Sequence, residues 1–186
     1  MSLDHWVNEC REGRTRAYAE IVRELRPRLL DYLYRMLQNR ELAEEIGQEA
    51  FLKAYQQLQK FNPAKASFTT WLFTLGRNLC IDTLRRMDGK RLDQEPSSTL
   101  LALNPIPRDQ AWENELENEI AHAVAQLDVL FRDTFILREY QGLEIEEIAQ
   151  ITNTNLGTVK SRLFRARQSL QLALKPVLQK AGIHYG

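Results

Sequence analysis

The run LGTVKSRLFRAR at 156 to 167 combines basic, hydroxyl and aromatic side chains at helical spacing. Val159, Leu163 and Ala166 recur every three or four residues, which predicts the buried face of a helix. The other face would carry Lys160, Ser161, Phe164, Arg165 and Arg167. Basic side chains can bond guanine acceptors, serine can bond several bases, and an aromatic ring can pack on a thymine methyl group. The run is therefore typical of a helix that reads DNA bases.

The residues before this run predict the first helix of a helix-turn-helix. Ile145 and Ile148 would form its apolar face, and the small Ala149 would let a second helix cross closely. A polar turn at 152–154 follows. In this motif the second helix enters the major groove and its N-terminal part meets the base edges. The alternative is a solvated basic helix on a plain helical bundle, but the turn, the small residue and the absence of acids favour DNA binding.

The formal net charge of zero hides an uneven distribution of charge along the chain. Ten acidic residues lie between Glu113 and Glu147, against two basic ones, Arg132 and Arg138. No acid follows Glu147, and the basic residues that do follow are Lys160, Arg162, Arg165, Arg167, Lys175 and Lys180. A wholly basic last part favours contact with a polyanion. Charge alone, however, fits a solvated helix face equally well.

Helical periodicity dominates the sequence, and no segment alternates convincingly like a strand. The predicted helices run over 15–37, 41–60, 68–87, 110–126, 129–140, 145–151 and 155–174. Pro27 lies inside the first of them and predicts a kink or break near Arg26. Pro63 would end the second helix, and Ser67 would cap the third.

Residues 88 to 108 interrupt this periodicity with Gly89, Pro96, Pro105 and Pro107. This composition is typical of a linker that does not hold its neighbours rigidly. The sequence therefore predicts an all-α chain of two small helical domains, 1–88 and 110–186, joined by a flexible linker at 89–109.

Few residues are spaced for catalytic or metal chemistry. Cys10 and Cys80 lie far apart and are expected to be reduced, structural thiols, and the three histidines are scattered. No glycine-rich phosphate loop and no Ser/His or Cys/His pairing is visible. We therefore expect a protein that is not an enzyme and has no metal, cofactor or small-molecule substrate. No apolar stretch approaches roughly 18 residues and the N-terminus lacks a signal pattern, so a cytoplasmic location is expected.

The predicted helix at 41–60 carries one leucine on its polar side. At about 100° per residue, Leu42, Ile46 and Ala50 share the apolar side. The polar side holds Glu41, Glu45, Gln48, Glu49, Gln56 and Gln59. Leu52 falls in the middle of this polar side, and an apolar residue with a polar rim is typical of an anchor in a protein interface.

Three segments resemble the extracytoplasmic-function (ECF) sigma factors, the small two-domain initiation factors of bacterial RNA polymerase. EEIA at 146–149, with the run at 156–167, resembles the family's −35 reader. AEEIGQEAFLKAY at 43–55 resembles its polymerase-binding helix. FTTWL at 68–72, followed by Arg77-Asn78, Asp82 and Arg85-Arg86, resembles its −10 element reader. The resemblance covers nearly the whole chain in the family's order and spacing.

The resemblance implies roles for individual residues. The −35 element would be contacted by Thr158, Lys160, Ser161, Arg162, Phe164, Arg165 and Arg167. The −10 element, with one base flipped from the stack, would be held by Asn62, Lys65, Ser67, Phe68, Trp71, Asn78, Arg85 and Arg86. Core polymerase would be contacted by Glu45, Gln48, Glu49 and Leu52. For Trp71 the helical spacing with Leu75 and Leu79 favours a core role over a DNA contact.

The implied partners are core RNA polymerase, promoter DNA and an anti-sigma factor, which in this family is often membrane-bound and would hold the chain at the inner membrane face. Two alternatives remain open at this point. One is an activator or repressor that binds an operator without docking on polymerase. The other is a protein-binding regulator that uses the acidic stretch at 113–147.

Two places depart from the family pattern and put the cap geometry of the helix-turn-helix in question. Glu144-Ile145 stands where the family often has a serine or threonine and an aromatic residue. Asn153-Thr154 replaces a turn that more often contains glycine.

Overall fold

The computed structural model describes residues 2–89 and 115–180, and the regular elements in these ranges are helices. The N-terminal half contains α1 (Leu3–Arg11), α2 (Tyr18–Leu37), α3 (Arg40–Gln56) and α4 (Phe68–Gly89), with short 3₁₀ turns at Thr15–Ala17 and Leu58–Lys60. The C-terminal half contains α5 (Glu115–Ala125), α6 (Val129–Phe135), one π-helical turn (Ile136–Tyr140), α7 (Ile145–Thr152) and α8 (Leu156–Lys180). The expected all-α architecture of two helical parts is confirmed, and the predicted linker lies outside the described residues except for Gly89.

Helix α2 is continuous through Pro27, so the predicted break near Arg26 is wrong. Pro27 lies on the exposed side of the helix, whereas Leu25 and Leu29 on the other side are fully buried. Proline removes one helical N–H and frees the carbonyl of Arg23. Arg23 is exposed, so water can replace the lost hydrogen bond, and the buried leucines on the other side keep both segments in one helix.

Side-chain caps fix where α3 and α4 begin. The Asn39 side-chain oxygen accepts a hydrogen bond from the Leu42 amide at 2.9 Å. The Ser67 hydroxyl accepts one from the Thr70 amide at 3.1 Å, which confirms the predicted cap. Helix α3 crosses α2 closely at Gly47, where an added Cβ would lie 2.7 Å from a methyl carbon of Leu30.

The helix-turn-helix has sound caps in spite of its unusual residues. The Glu144 amide donates to the Glu147 carboxylate at 3.0 Å and so satisfies one of the free amides at the start of α7. Asn153 adopts the left-handed conformation at φ 51°, which asparagine tolerates better than most residues. The Asn155 side chain accepts from the Thr158 amide at 2.8 Å and caps α8.

The two halves pack directly against each other. Helix α4 lies on α7, and α2 lies on the π-helical turn and α6. Buried residues of both halves form one continuous hydrophobic core. Within residues 2–89 and 115–180, no helix is both long and apolar enough to cross a lipid bilayer.

Candidate nucleic-acid and polymerase interfaces

The two faces of α8 differ in exposure as the sequence predicts. Val159, Leu163 and Ala166 are buried against the other helices of the C-terminal half. The opposite face is exposed and carries Lys160, Ser161, Phe164, Arg165 and Arg167. Phe164 leaves 67% of its surface exposed, which is unusual for a phenylalanine without a partner surface. This face can offer charged, hydroxyl and aromatic groups to the edges of bases.

Local hydrogen bonds orient the start and one flank of α8. Asn155 also accepts a hydrogen bond from the Thr158 hydroxyl at 3.1 Å. The Ser161 hydroxyl donates to the Thr158 carbonyl at 2.9 Å. Further along, the guanidinium of Arg167 forms an exposed ion pair with Glu139 at 2.6 Å. The side chains of Lys160, Phe164 and Arg165 therefore form the open part of the reading face, with Phe164 between the two basic residues.

Arg162 lies apart from the other predicted −35 residues. Its side chain faces the N-terminal half and lines a cleft of about 500 Å³ between α4 and the helix-turn-helix. Its Nη1 atom is buried and has no hydrogen-bond partner among the described residues. The predicted −35 set is thus divided between an open face and this cleft.

The loop before α4 carries three of the predicted −10 residues. The Asn62 side chain accepts from the Ala64 amide at 2.9 Å and so shapes the turn. Lys65 is exposed. Ser67 is exposed as well, although its hydroxyl is engaged in capping α4.

An aromatic cluster supports this loop. Phe61, Phe68 and Trp71 have ring centroids 5.2 to 5.5 Å apart, in tilted and edge-to-face arrangements. Phe61 and Phe68 are buried, so Phe68 can act on a nucleic acid only by shaping the surface above it. Trp71 is partly exposed at the edge of the cluster and packs against the hydrophobic core.

The remaining −10 residues follow one line along α4. Trp71, Asn78 and Arg85 are spaced by seven residues, or about two turns, and therefore share a face of the helix. Asn78 and Arg85 are exposed and line the cleft opposite Arg162. Arg86 is exposed next to this line and donates to the Thr83 hydroxyl at 3.1 Å.

The predicted polymerase-binding residues form one exposed patch on α3, made of Glu45, Gln48, Glu49 and Leu52. Leu52 leaves 56% of its surface exposed, while Ile46 and Ala50 on the other side of the helix are buried. Glu49 forms an ion pair with Lys53 at 2.8 Å, so the surroundings of Leu52 are polar. The patch has the composition of a small apolar anchor with a polar rim.

Sequence reasoning missed a buried polar cluster between the two halves. Asp133 of α6 is fully buried and accepts hydrogen bonds from the Tyr32 hydroxyl at 2.9 Å and from Nε of Arg77 at 2.6 Å. Burial raises the pKa of the Asp133 carboxyl, while the Arg77 charge and both hydrogen bonds oppose that rise. Burial and the adjacent carboxylate raise the pKa of Tyr32 well above its ordinary value, so its hydroxyl remains a donor. The only signal in the sequence was a carboxylate on the inner side of a helix.

The cysteines carry no visible chemistry. Cys10 and Cys80 are free, buried thiols. Burial raises the pKa of Cys80 to about 12, which keeps the thiol protonated and unreactive. In the part of the chain that the structure describes, no group of three His, Cys, Asp or Glu side chains is placed to hold a metal ion.

Comparison with known proteins decides the family. The Sigma-70 region 2 model matches residues 21–89, and the Sigma-70 region 4 model matches residues 117–170. The chain is 32% identical over 184 residues to the ECF RNA polymerase sigma factor SigW of Bacillus subtilis, covering 94% of this chain and 98% of that protein. This chain belongs to the ECF sigma factors. It therefore binds core RNA polymerase and directs promoter-specific transcription initiation. The two alternatives left open by the sequence, an operator-binding regulator that does not dock on polymerase and a protein-binding regulator, are no longer needed.

Other relatives agree with this assignment. This sigma factor is 31% identical to the RNA polymerase sigma-H factor of Pseudomonas aeruginosa, over 94% of this chain and 95% of that protein. It superposes with a TM-score of 0.68 and 26% identity on the sigma factor RpoE of Bartonella quintana, solved in complex with the anti-sigma factor NepR, over 85% of this chain and 96% of that one. CnrH, solved with the cytosolic domain of CnrY, has the same fold at 19% identity and a TM-score of 0.67.

Proposed function

We propose that this sigma factor reads the −35 element with the exposed face of α8. The observation that carries the proposal is the contrast within α8 itself. Its inner face is buried, whereas its outer face exposes Lys160, Phe164 and Arg165 without an acid nearby on the same helix. Basic and aromatic groups at the N-terminal part of a recognition helix can meet base edges in the major groove. Ser161 and Thr158 would make further contacts with the −35 element, and Arg167 would contact the phosphate backbone of the DNA.

The −10 element is proposed to lie along α4 and the loop before it. Trp71, Asn78 and Arg85 share one face of α4, and Lys65 and Arg86 add positive charge near its two ends. A single strand is held by basic groups along its backbone and by aromatic surfaces under its bases. A base flipped out of the stack needs a pocket with polar edges, and the capped turn from Asn62 to Ser67 offers both amide and hydroxyl groups.

The same proposal assigns core-polymerase docking to the α3 patch of Glu45, Gln48, Glu49 and Leu52. The functional domains would then be 1–88 for polymerase binding and the −10 element, 89–109 as the linker, and 110–186 for the −35 element. The polymerase supplies catalysis and this chain supplies promoter choice. The site of action would be the cytoplasm, where the polymerase works.

We further propose that an anti-sigma factor controls this chain. The support is the likeness to RpoE, which was solved bound to NepR and which the described helices follow over most of their length. A membrane-bound anti-sigma factor would hold the chain at the inner face of the membrane.

Transcription of a library of genomic fragments tests the proposed function. Core polymerase with this chain should initiate at sites that share two sequence elements, and core polymerase alone should not. The chain alone should bind the same fragments weakly and without preference. Tight and specific binding by the chain alone would instead support a stand-alone activator or repressor. Binding to polymerase without any specific initiation would support a protein-binding regulator.

A further inference from the structure

The cleft between α4 and the helix-turn-helix is lined by arginines from both halves of the chain. Arg77 and Arg85 lie on the α4 side, and Arg162 lies on the α8 side. Asn78 and Asn153 add exposed side-chain amides to the same cleft. Guanidinium and amide N–H groups are donors that suit the oxygens of a phosphate, and arginine can bind two of these oxygens at once. The cleft therefore has the donor set of an anion site.

The guanidinium of Arg162 has a buried donor to offer to a ligand in this cleft. Its Nη1 atom is buried, and no described residue accepts a hydrogen bond from it. Burying a charged donor without a hydrogen bond costs free energy, so such groups normally have a partner. Arg77, by contrast, donates from Nε to the Asp133 carboxylate at 2.6 Å. An oxyanion that enters the cleft would give Arg162 the acceptor that Arg77 already has.

Several positive charges act on one buried carboxylate at the base of the cleft. Burial raises the pKa of Asp133, and the charges of Arg77 and Arg162 both oppose that rise. Arg132 is fully buried next to Asp133 on α6, and burial lowers the pKa of its guanidinium. Three guanidinium groups thus share Asp133, and buried charges are screened much less than exposed ones. A second negative charge placed here would be attracted.

Two exposed carboxylates weaken this attraction only in part. Asp82 lines the cleft and lies 3.8 Å from Arg85. Asp128 acts on Arg132 from the surface of the C-terminal half. Because both carboxylates are in contact with water, their charges are screened. Asp82 is the acid that an anion in the cleft would face.

We propose that this cleft binds phosphate, either free or as the phosphate group of a small molecule, with Arg162 as the main donor and Arg85 and Asn78 on the facing wall. The cleft has a volume of about 500 Å³. Sites for small molecules measure roughly 300–1,000 Å³, so there is room for more than a phosphate group. Ile81 of α4 and Leu130 of α6 also line the cleft and would give the rest of such a ligand an apolar wall.

A phosphate of the DNA backbone has the same chemistry, but the position of the Arg162 donor favours a small ligand. Asn78 and Arg85, which are assigned above to the −10 strand, are exposed, so a strand along α4 can reach them from solvent. The Nη1 atom of Arg162 is buried, and a small anion can reach it inside the cleft. The ligand and the strand would share Asn78 and Arg85 and would therefore compete, and this consequence rests on the proposed function.

Calorimetric titration of the full-length chain with inorganic phosphate tests the site. The ionic strength is held constant with chloride, and phosphate should bind at one site per chain. Arg162→Met should weaken this binding about tenfold or more, the loss expected when a hydrogen bond to a charged group is removed. Lys175→Met also removes a positive charge from α8, but Lys175 is exposed and does not line the cleft, so phosphate affinity should stay unchanged. Circular dichroism shows whether each variant keeps its helices.

Adenosine 5′-monophosphate (AMP) and adenosine show how large the ligand is. AMP should bind with the same dependence on Arg162 as phosphate, and adenosine, which lacks the phosphate group, should not bind. An affinity for AMP above that for phosphate would support a ligand whose body lies against Ile81 and Leu130. Equal or weaker binding of AMP would support free phosphate as the ligand.

Asp82→Asn gives an effect of the opposite sign. Without this carboxylate the cleft should bind phosphate about threefold more tightly, which is the scale of one exposed charge. Glu24→Gln removes an exposed carboxylate from α2, outside the cleft, and should leave the affinity unchanged although the net charge changes equally. Because Asp82→Asn improves binding, a loss of folding cannot produce this result.

A short single-stranded oligonucleotide separates a small ligand from the DNA backbone. Saturating phosphate, at constant ionic strength, should weaken oligonucleotide binding by the parent and should not affect that by Arg162→Met. If Arg162→Met weakened oligonucleotide binding but left phosphate binding unchanged, the cleft would serve the DNA backbone and the inference would be overturned.

Two further results would overturn the site. One is phosphate binding no stronger than that of chloride. The other is phosphate binding that neither Arg162→Met nor Asp82→Asn changes, which would mean an adventitious ion only. The calorimetry contains neither polymerase nor promoter, so a chain that binds phosphate as expected but initiates at no promoter would contradict the proposed function alone.

Discussion

Lys160 and Arg165 lie five positions apart on α8 and therefore about 140° apart around the helix. Both are exposed, so they flank the reading face from its two sides instead of stacking on one line. A side chain in this position can bond either a base edge or a phosphate, and the two contacts have different consequences. A base contact gives specificity at one position, whereas a phosphate contact supports every sequence equally.

We predict that Arg165→Ala weakens promoter binding of the holoenzyme by roughly 1–3 kcal/mol and relaxes specificity at one base pair of the −35 element. The measurement is the affinity for a set of promoters mutated one position at a time. Lys175→Ala, an exposed basic residue two to three turns further along α8, is the control and should show no change at a single position. An equal loss on every promoter would make Arg165 a phosphate contact.

For Leu52 we predict that Leu52→Arg preserves the fold and weakens binding to core polymerase by about 2 kcal/mol, within the range of interface hot spots. The physical reason is that the side chain is already largely exposed, so no core contact is lost. Promoter-specific transcription should fall in parallel. Thermal melting by circular dichroism and a core-polymerase affinity are measured together.

The matched control for Leu52→Arg is Leu172→Arg. Leu172 is also an exposed leucine, with 70% of its surface exposed, but it lies on α8 and outside the α3 patch. It should leave the affinity for core polymerase unchanged. A much lower melting temperature for Leu52→Arg would mean that Leu52 supports the core. Normal melting with normal polymerase affinity would mean that the docking surface lies elsewhere.

Single residues were predictable from the sequence where periodicity alone decides their environment. The exposure of Leu52 and of Phe164 followed from their place on the polar side of a helix. The burial of Asp133 did not, because its partners Tyr32 and Arg77 lie in the other half of the chain. A pairing over such a distance in sequence leaves no local pattern, and Arg162 faces the cleft for the same reason.

At the scale of elements, the long periodic helices were predicted well and the local exceptions were not. Helix α1 was missed although Leu3, Trp6, Val7 and Cys10 recur at helical spacing, because nine residues are a short segment on which to base a prediction. The break at Pro27 was predicted from the lost hydrogen bond alone, whereas burial on both sides of it keeps α2 continuous. The predicted helix at 129–140 changes into a π-helical turn after Phe135, and nothing in the residue types there indicates the change.

The Asn155 side chain caps the start of α8, and the loss of this cap should measurably lower the stability of the protein. We predict that Asn155→Ala lowers the free energy of unfolding by about 1 kcal/mol, because the Thr158 amide and hydroxyl lose their acceptor. Asn155→Ser, which keeps a capping oxygen, should recover most of the loss. The measurement is urea unfolding followed by circular dichroism. If the alanine and serine variants were equally stable, the Asn155 cap would not contribute to stability.

At the scale of the whole molecule, the sequence predicts the parts but not their arrangement. The proline-containing segment at 89–109 indicates a linker, and a linker leaves the relative position of two domains open. Their packing is decided by contacts such as Arg28 with Gln141 and Arg77 with Asp133, which join residues far apart in sequence. The buried residues of both halves join in one hydrophobic core, and the spacing of apolar residues within each half does not show which of them meet across the interface.

Limited proteolysis distinguishes a linker that merely connects the halves from an interface that holds them. We predict that protease cuts first within 89–109, where three prolines interrupt the helical periodicity of the sequence. Because the halves share a buried ion pair and a continuous core, the two fragments should stay together during gel filtration after the cut. The same cut in Asp133→Asn should release two separate folded fragments. First cleavage within α1–α4 or α5–α8 would contradict the domain boundary. Immediate separation of the parent fragments would show that the interface cannot hold the two halves together once the linker is cut.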